Sequence, residues 1–295
     1  MSRVFNFGSI NIDHVYQMPR LARPGETISS TGYARGAGGK GFNQSVAVAR
    51  AGAQVSHIGF IGEDGVWLRD FLSAEGVDCS GVGIAADATG HAIIQVLPDG
   101  ENCIFLHAGA NHCATRESVR AALQGAQPGD WFLCQNETSD VAASLEEARR
   151  IGLKTALNAA PALETACSSI LHNVDLLVVN ESEAAALGGL PSPAASVAKL
   201  RSDFPVLGIV LTLGAEGAIW SGPGIEESTP AVPTDVVDTT AAGDTFTGYL
   251  LAALLQGCNP HKAMALANRA ASITVSRPGA AASIPLLREV EERGV

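Results

Sequence analysis

Apolar and polar positions come in blocks along the chain, and the blocks change period. Residues 3–8 read as a first strand and Val55–Ile61 as a second, and the apolar runs at 131–134, 155–158, 176–179 and 207–213 add four more. Between them the spacing turns helical, over 39–51, 66–75, 141–151, 194–203 and 262–275. From Phe246 the apolar residues fall at Phe246, Tyr249, Leu250, Ala253 and Leu254, one face of a further helix. Strands alternating with helices predict an α/β fold, a mostly parallel sheet covered on both faces. Ligands of such folds sit beyond the carboxyl ends of the strands. Two stretches break the rhythm. Residues 15–33 hold Pro19, Pro24 and Gly25 between short extended pieces, and 92–97 and 103–107 flank the turn Pro98-Asp99-Gly100. Two edge hairpins account for them. So does a small β lid over a site, which the polar-rich segments beside both favour.

Composition narrows the class. The 295 residues are 46% hydrophobic and 17% charged, enough to bury a sizeable core and unlike a disordered chain. A net charge of −11 argues against a nucleic-acid surface. If the ligand is a phosphate compound, helix N-termini and a metal must supply much of the positive field. Cys79, Cys103, Cys113, Cys134, Cys167 and Cys258 form no Cys-x-x-Cys pair and suit buried thiols in a reducing cytosol. The start, MSRVFNFGSINID, reads as a strand and not as a signal or transit peptide, and no apolar run has the length of a membrane span. No His-x-x-x-His pair points to a histidine metal site.

The candidate chemistry lies in polar and glycine-rich clusters. In Asp238-Thr-Thr-Ala-Ala-Gly-Asp244, small residues stand at a helix head, where free N–H groups favour an anion. Asp244 is then either a first-turn acid complementing the helix dipole or a reactive carboxylate beside an anion site. Val236 and Val237 before it read as the end of a strand or an extended approach. In Gly36-Ala-Gly-Gly-Lys-Gly-Phe-Asn-Gln44, the glycines formally satisfy G-x-G-x-x-G, the mark of a dinucleotide oxidoreductase. The polar segment before it is the wrong context, and Gly41 stands where a P-loop needs Ser or Thr. What remains is a glycine turn presenting Lys40 and Asn43 at a helix start. Asn11 and Asp13, two apart at the end of the first strand, share a face and could grip vicinal hydroxyls, or form an Asx turn. Asn180 and Glu183 could organise water around Mg²⁺, or cap a helix. Thr212, Gly214 and Gly217 form a strand-to-turn switch open to a phosphate.

Taken in order, these motifs resemble the ribokinase-like (PfkB) family of carbohydrate and nucleoside kinases over nearly the whole chain. Residues 238–246 are similar to its C-terminal signature and 38–44 to its N-terminal one. Residues 8–14 and His107-Ala-Gly-Ala-Asn111 resemble its ribokinase branch. The resemblance implies one three-layer α/β/α domain over 1–295, with a lid from insertions at about 13–36 and 90–108. It implies Asp244 as catalytic base and Ala241, Ala242 and Gly243 as an anion hole. It gives Asn11, Asp13, Gly39, Lys40, Asn43 and Glu137 to the sugar, and Asn180, Thr212, Gly214, Gly217 and Asn268 to the nucleotide. Glu183 would act on Mg²⁺ through water. Asp238, with the backbone of Thr240, Thr274, Arg277 and Gly279 and the side chain of Ser283, would hold a monovalent cation, K⁺. ATP as co-substrate, a cytoplasmic location and a homodimer through the lid follow. The implied acceptor is D-ribose, with deoxyribose, fructose and adenosine as alternatives. A sugar-binding regulator on an inactive scaffold is the non-enzyme alternative, against which the retained Asp244 speaks. One departure is Asn158-Ala-Ala-Pro161 in place of Asn-Pro-Ala-Pro, expected near the nucleotide side.

Overall fold

The computed structural model describes residues 2–162 and 168–293. Its strands are β1 (Val4–Phe7), β2 (Asn11–Gln17), β3 (Gly32–Gly38), β4 (Val55–Ile61), β5 (Asp78–Ile84), β6 (Gly90–Val96), β7 (Asn102–His107), β8 (Trp131–Gln135), β9 (Lys154–Asn158), β10 (Leu176–Asn180), β11 (Gly208–Thr212), β12 (Ala218–Gly222) and β13 (Ile225–Thr229). Its helices are α1 (Lys40–Arg50), α2 (Val66–Ala74), α3 (Arg116–Ala122), α4 (Val141–Arg150), α5 (Glu181–Gly188), α6 (Pro193–Asp203), α7 (Ala242–Leu255), α8 (Pro260–Val275) and α9 (Leu287–Glu292).

The large sheet runs β13-β12-β11-β10-β9-β8-β1-β4-β5. From β11 to β5 every pairing is parallel, and β12 and β13 add an antiparallel hairpin at one edge. The central strands β8, β9, β10 and β11 are apolar and almost wholly buried, as a strand covered on both faces must be. Alternation along β1 assigns the two cores. Val4 joins Phe42, Val46, Tyr249, Leu250 and Ile273 under α1, α7 and α8. Phe5 and Phe7 join Leu145, Leu157, Leu177 and Val197 on the opposite face. The caps follow local chemistry. Asn259 accepts from the Lys262 N–H with Pro260 opening α8, and Ser192 accepts from the Ala195 N–H with Pro193 opening α6.

The second sheet has four strands in the order β3-β2-β6-β7. The stretches that broke the helical rhythm are these strands. The sheet is mixed, because β2 and β6 pair in parallel. Sequence reasoning missed β5, β12 and β13. β5 holds two glycines and β13 is Ile-Glu-Glu-Ser-Thr, so neither carries an apolar run. Residues 236 and 237 are not in a strand, and both valines are exposed. Of the described cysteines only Cys134 is buried, which corrects the expectation of buried thiols; Cys167 lies outside the described residues.

Candidate active site

The polar residues singled out above converge beyond the carboxyl ends of β8, β9, β10 and β11, beneath the four-stranded sheet. β2 carries Asn11 and Asp13 on one face, so both belong to a strand and not to an Asx turn. β3 leads to Gly39, which precedes α1 with φ at 93°, and a Cβ there would lie 2.8 Å from the Ser9 carbonyl oxygen. Only glycine combines that torsion with that approach. Gly38 has a second role. A Cβ on it would stand 2.1 Å from a carboxylate oxygen of Asp13, so its absence leaves the space that Asp13 occupies.

Around these residues lies a polar cavity of about 450 Å³, whose lining includes Asn11, Asp13, Gly39, Lys40, Asn43 and Glu137. Glu137 accepts from the Ser9 hydroxyl at 2.5 Å and from the Lys40 backbone N–H at 3.1 Å. The Lys40 ammonium lies 3.9 Å from its other oxygen. Burial, and then the charge of Glu137, pushes the Asp13 carboxyl up to about 7. Burial pulls on Lys40 the other way, but Asp244, Glu137 and Glu183 outweigh it and hold the ammonium above its usual range. Burial also raises Glu183, against the Asn180 N–H and Lys40, which favour its charged form. Asn180 and Glu183 form a full capping box for α5. The Asn180 side chain accepts from the Glu183 N–H, and Glu183 accepts from the Asn180 N–H, each at 2.9 Å. Both still line the cavity, so capping fixes them there.

Asp244 sits in the first turn of α7 and is buried. Its carboxylate accepts from Asn43 and from Gln44, each at 2.9 Å. Ala241 turns the chain into this helix with φ at 60°, a left-handed conformation that costs a non-glycine residue of order 1–3 kcal/mol. The Ala242 N–H donates to the Thr239 carbonyl at 3.2 Å, and Ala242 lines both the polar cavity and the one beyond this turn. Gly243 and Asp244 lie in the first turn of α7, where backbone N–H groups have no partner within the helix.

A second, mainly apolar cavity of about 620 Å³ lies on the far side of this turn. Its lining includes Thr212, Gly214, Gly217, Val232, Phe246 and Asn268. The Asn268 amide donates to the carbonyls of Thr229 and Pro230, both at 3.1 Å. The two cavities share Thr212, Thr239, Ala242 and Gly243. A polyhydroxylic molecule and a flat apolar one can therefore be held with their reacting ends at one helix N-terminus.

The third expected cluster assembles in part. Asp238 accepts from the Thr240 N–H and hydroxyl and from the Gly279 N–H. The Thr274 hydroxyl bonds Thr245, Ser283 donates to the Ala280 carbonyl, and Arg277 pairs with Glu289. Asn158 lines the polar cavity and not the apolar one, which corrects its expected place near the nucleotide side.

Sequence reasoning missed Asn111, Gln135 and Gln44 as site residues. Asn111 accepts from the Ile10 N–H and donates to Asn11, so it orients Asn11. Asn111 and Gln44 close glycine-containing motifs and Gln135 ends an apolar strand, and the partners of all three are distant in the chain.

The chain is similar to known proteins over nearly its whole length. The family description "pfkB family carbohydrate kinase" matches residues 1–287. A ribokinase of Haemophilus influenzae is 36% identical over 97% of this chain and 96% of its own length. The crystal structure of ribokinase from Cryptococcus neoformans in complex with ADP superposes with a TM-score of 0.86 at 37% identity, covering 99% of this chain and 100% of that one. The structure of Arabidopsis thaliana ribokinase complexed with ribose and ATP gives 0.88 at 29% identity, covering 99% and 98%.

Proposed function

The chain belongs to the pfkB family of carbohydrate kinases, and on that premise we propose that it transfers the γ-phosphoryl group of ATP to O5 of D-ribose. One observation carries the reading: the polar and apolar cavities meet at the N-terminus of α7, with Asp244 on the polar side. The sugar occupies the polar cavity. Asn11, Asp13, Lys40, Asn43 and Glu137 offer its hydroxyls donors and acceptors, and Gly39 lets it approach the backbone. The nucleotide lies in the apolar cavity, with its phosphates over Thr212, Gly214 and Gly217 and its base toward Asn268.

Asp244 takes the proton of the attacking hydroxyl. The sugar oxygen forms its bond to the γ-phosphorus as the bond to the β,γ-bridging oxygen breaks, and ADP leaves. The N–H groups of Gly243 and Asp244 face the charge on the transferring group. Mg²⁺ would supply further charge compensation when bound with ATP. The residues present fit it: Asn180 and Glu183 line the polar cavity beside Thr212, Thr239, Ala242 and Gly243, which the two cavities share, so an oxygen ligand stands close to where the phosphates would lie. A magnesium ion carried by phosphates and water needs no more.

Asp238, with Thr240, Thr274, Arg277, Gly279 and Ser283, is the proposed site of K⁺, which would order the loop leading to the anion hole. The lid is the four-stranded sheet, which we treat as part of a single kinase domain. Its outer face exposes Tyr33, Ile93 and Phe105. That supports a homodimer through the lid, a state that sedimentation velocity reads. No helix among the described residues is long and apolar enough to cross a membrane, and five cysteines are free, which supports a cytoplasmic protein.

The test is a panel of D-ribose, deoxyribose, fructose and adenosine at equal concentration with ATP and Mg²⁺, read by ADP release. Ribose should give the highest kcat/KM, because a site built to bond a hydroxyl rejects the analogue lacking it. A higher value for any of the other three would remove the ribose assignment.

A further inference from the structure

Asp244 is tied to a line of buried amides that crosses the sheet, and one backbone carbonyl sets the direction of that line. Asn6 lies on β1 and is fully buried. Its side chain meets the Gly41 carbonyl at 2.7 Å, so the atom there must be its N–H group. Its oxygen therefore faces Gln135, whose near atom must be a donor. That same Gln135 nitrogen lies 2.7 Å from Gln44, so the Gln44 atom facing it must be the amide oxygen. The Gln44 nitrogen is then turned to Asp244 Oδ1 and to Asn158 Oδ1, each at 2.9 Å. Beyond Asn6 the line continues through the Ser45 hydroxyl to His57 and the Gly8 carbonyl. Burial keeps that imidazole neutral near pH 7, with its pKa lowered to about 4.

Asn43 and Gln44 both donate to the carboxylate, but they are not equivalent. The Asn43 side-chain oxygen is buried with no partner within the protein, and Asn43 lines the cavity beside Asp244. Gln44 is fully buried and its nitrogen and oxygen are all engaged with protein groups. It has nothing left to offer a substrate. Turning its amide over would set its oxygen against the carboxylate and its N–H group against that of Gln135.

We propose that Gln44 is the positioning residue of the base. It fixes the carboxylate plane of Asp244 toward the acceptor hydroxyl, and Gln135 and Asn6 hold Gln44 in the one orientation that does so. The proposal rests on Asp244 being the base, and the test separates the two.

Gln44→Met keeps the side chain's length and removes the donor. It should lower kcat about 10- to 100-fold while the ribose KM stays within about twofold, as expected when a reacting group is misplaced and the sugar contacts remain. Gln44→Glu gives a signature that loss of packing would not. Near neutral pH two carboxylates face each other and kcat should fall at least as far. As the pH is lowered the pair takes up a proton, the new carboxyl regains a donor toward Oδ1, and kcat should recover in part. Asp244→Asn is the control. If it turns over normally, the assigned base is wrong. If it is inactive while both Gln44 variants keep wild-type kcat and pH profile, the positioning role is overturned and the base stands. A raised ribose KM with kcat intact would likewise overturn it, since that is the behaviour of a sugar contact. Should neither Gln44 variant fold, Gln135→Met, one amide further from the base, takes the same measurements. It should lower kcat at constant KM, and an unchanged kcat counts against the proposal.

Discussion

Asp13 shares the polar cavity with Glu137, and burial and that neighbour hold its pKa at about 7, well above the ordinary 3.8 of an aspartate. The folded protein therefore binds a proton that the unfolded chain has lost, so this group's contribution to stability falls as pH rises from about 4 to about 7. Function should run the other way. An ionised carboxylate accepts a hydroxyl proton at either oxygen, as a charged and stronger acceptor, whereas a protonated one turns one oxygen into a donor and keeps only a neutral acceptor. In the free enzyme, kcat/KM for ribose should rise through a pKa near 7. Asp13→Asn should lose that limb, and Asp13→Ala should raise the ribose KM about tenfold to a hundredfold, for a lost bond to a charged group of roughly 1.5–3 kcal/mol. A pH profile unchanged in Asp13→Asn would remove Asp13 from that role. Lys40, Asn43 and Asp244 were legible as candidates because they follow glycines that advertise close backbone approach, and Asp13 because it shares a strand face with Asn11. Gln44 was not. Its bond to Asp244 spans 200 residues, and no local pattern reveals such a contact.

At the scale of elements, the site depends on how closely α1 and α7 approach. Gly248 lies in the middle of α7, where glycine costs about 1 kcal/mol relative to alanine. Its place has a packing reason. A Cβ there would stand 2.4 Å from the Ala47 Cβ and 3.0 Å from the Gln44 carbonyl oxygen. Gly248→Ala should destabilise by about 1–3 kcal/mol through overpacking and lower kcat by drawing Asp244 away from Asn43 and Gln44. Thermal melts and steady-state kinetics on one preparation check both, and a wild-type kcat would show that the helix spacing is not what sets the base. The apolar face read from Phe246 onward was correct but too narrow, since α7 is buried nearly all round between α1 and α8. The loop before α7 carries a second prediction. Replacing tetramethylammonium by K⁺ should raise kcat/KM, and Asp238→Ala should abolish the response. Equal rates in the two salts would argue against a bound cation. The strand–helix alternation of the large sheet was legible because its central strands are continuous apolar runs. The β12–β13 hairpin was not, because β12 has only Ala218, Ile219 and Trp220 before Ser221 and Gly222, and β13 turns Glu226 and Ser228 to water.

For the molecule as a whole, the two cavities meet only because residues from β2, α1, α5, β11 and α7 reach the same end of the sheet. The order of motifs was readable along the chain, but the meeting of the cavities at one helix turn is a property of the fold. The central claim is that this turn passes a phosphoryl group to a sugar hydroxyl whose proton goes to Asp244. It is tested most directly by ³¹P NMR of D-ribose, ATP and Mg²⁺ incubated with the purified protein, in parallel with Asp244→Asn. The wild-type protein should convert the γ-phosphate signal into a phosphomonoester coupled to the C5 protons of the sugar, and Asp244→Asn should be slower by about 10²–10⁴-fold with ribose binding retained. A phosphomonoester formed at the same rate by both proteins, or none coupled to C5 in either, would contradict the account.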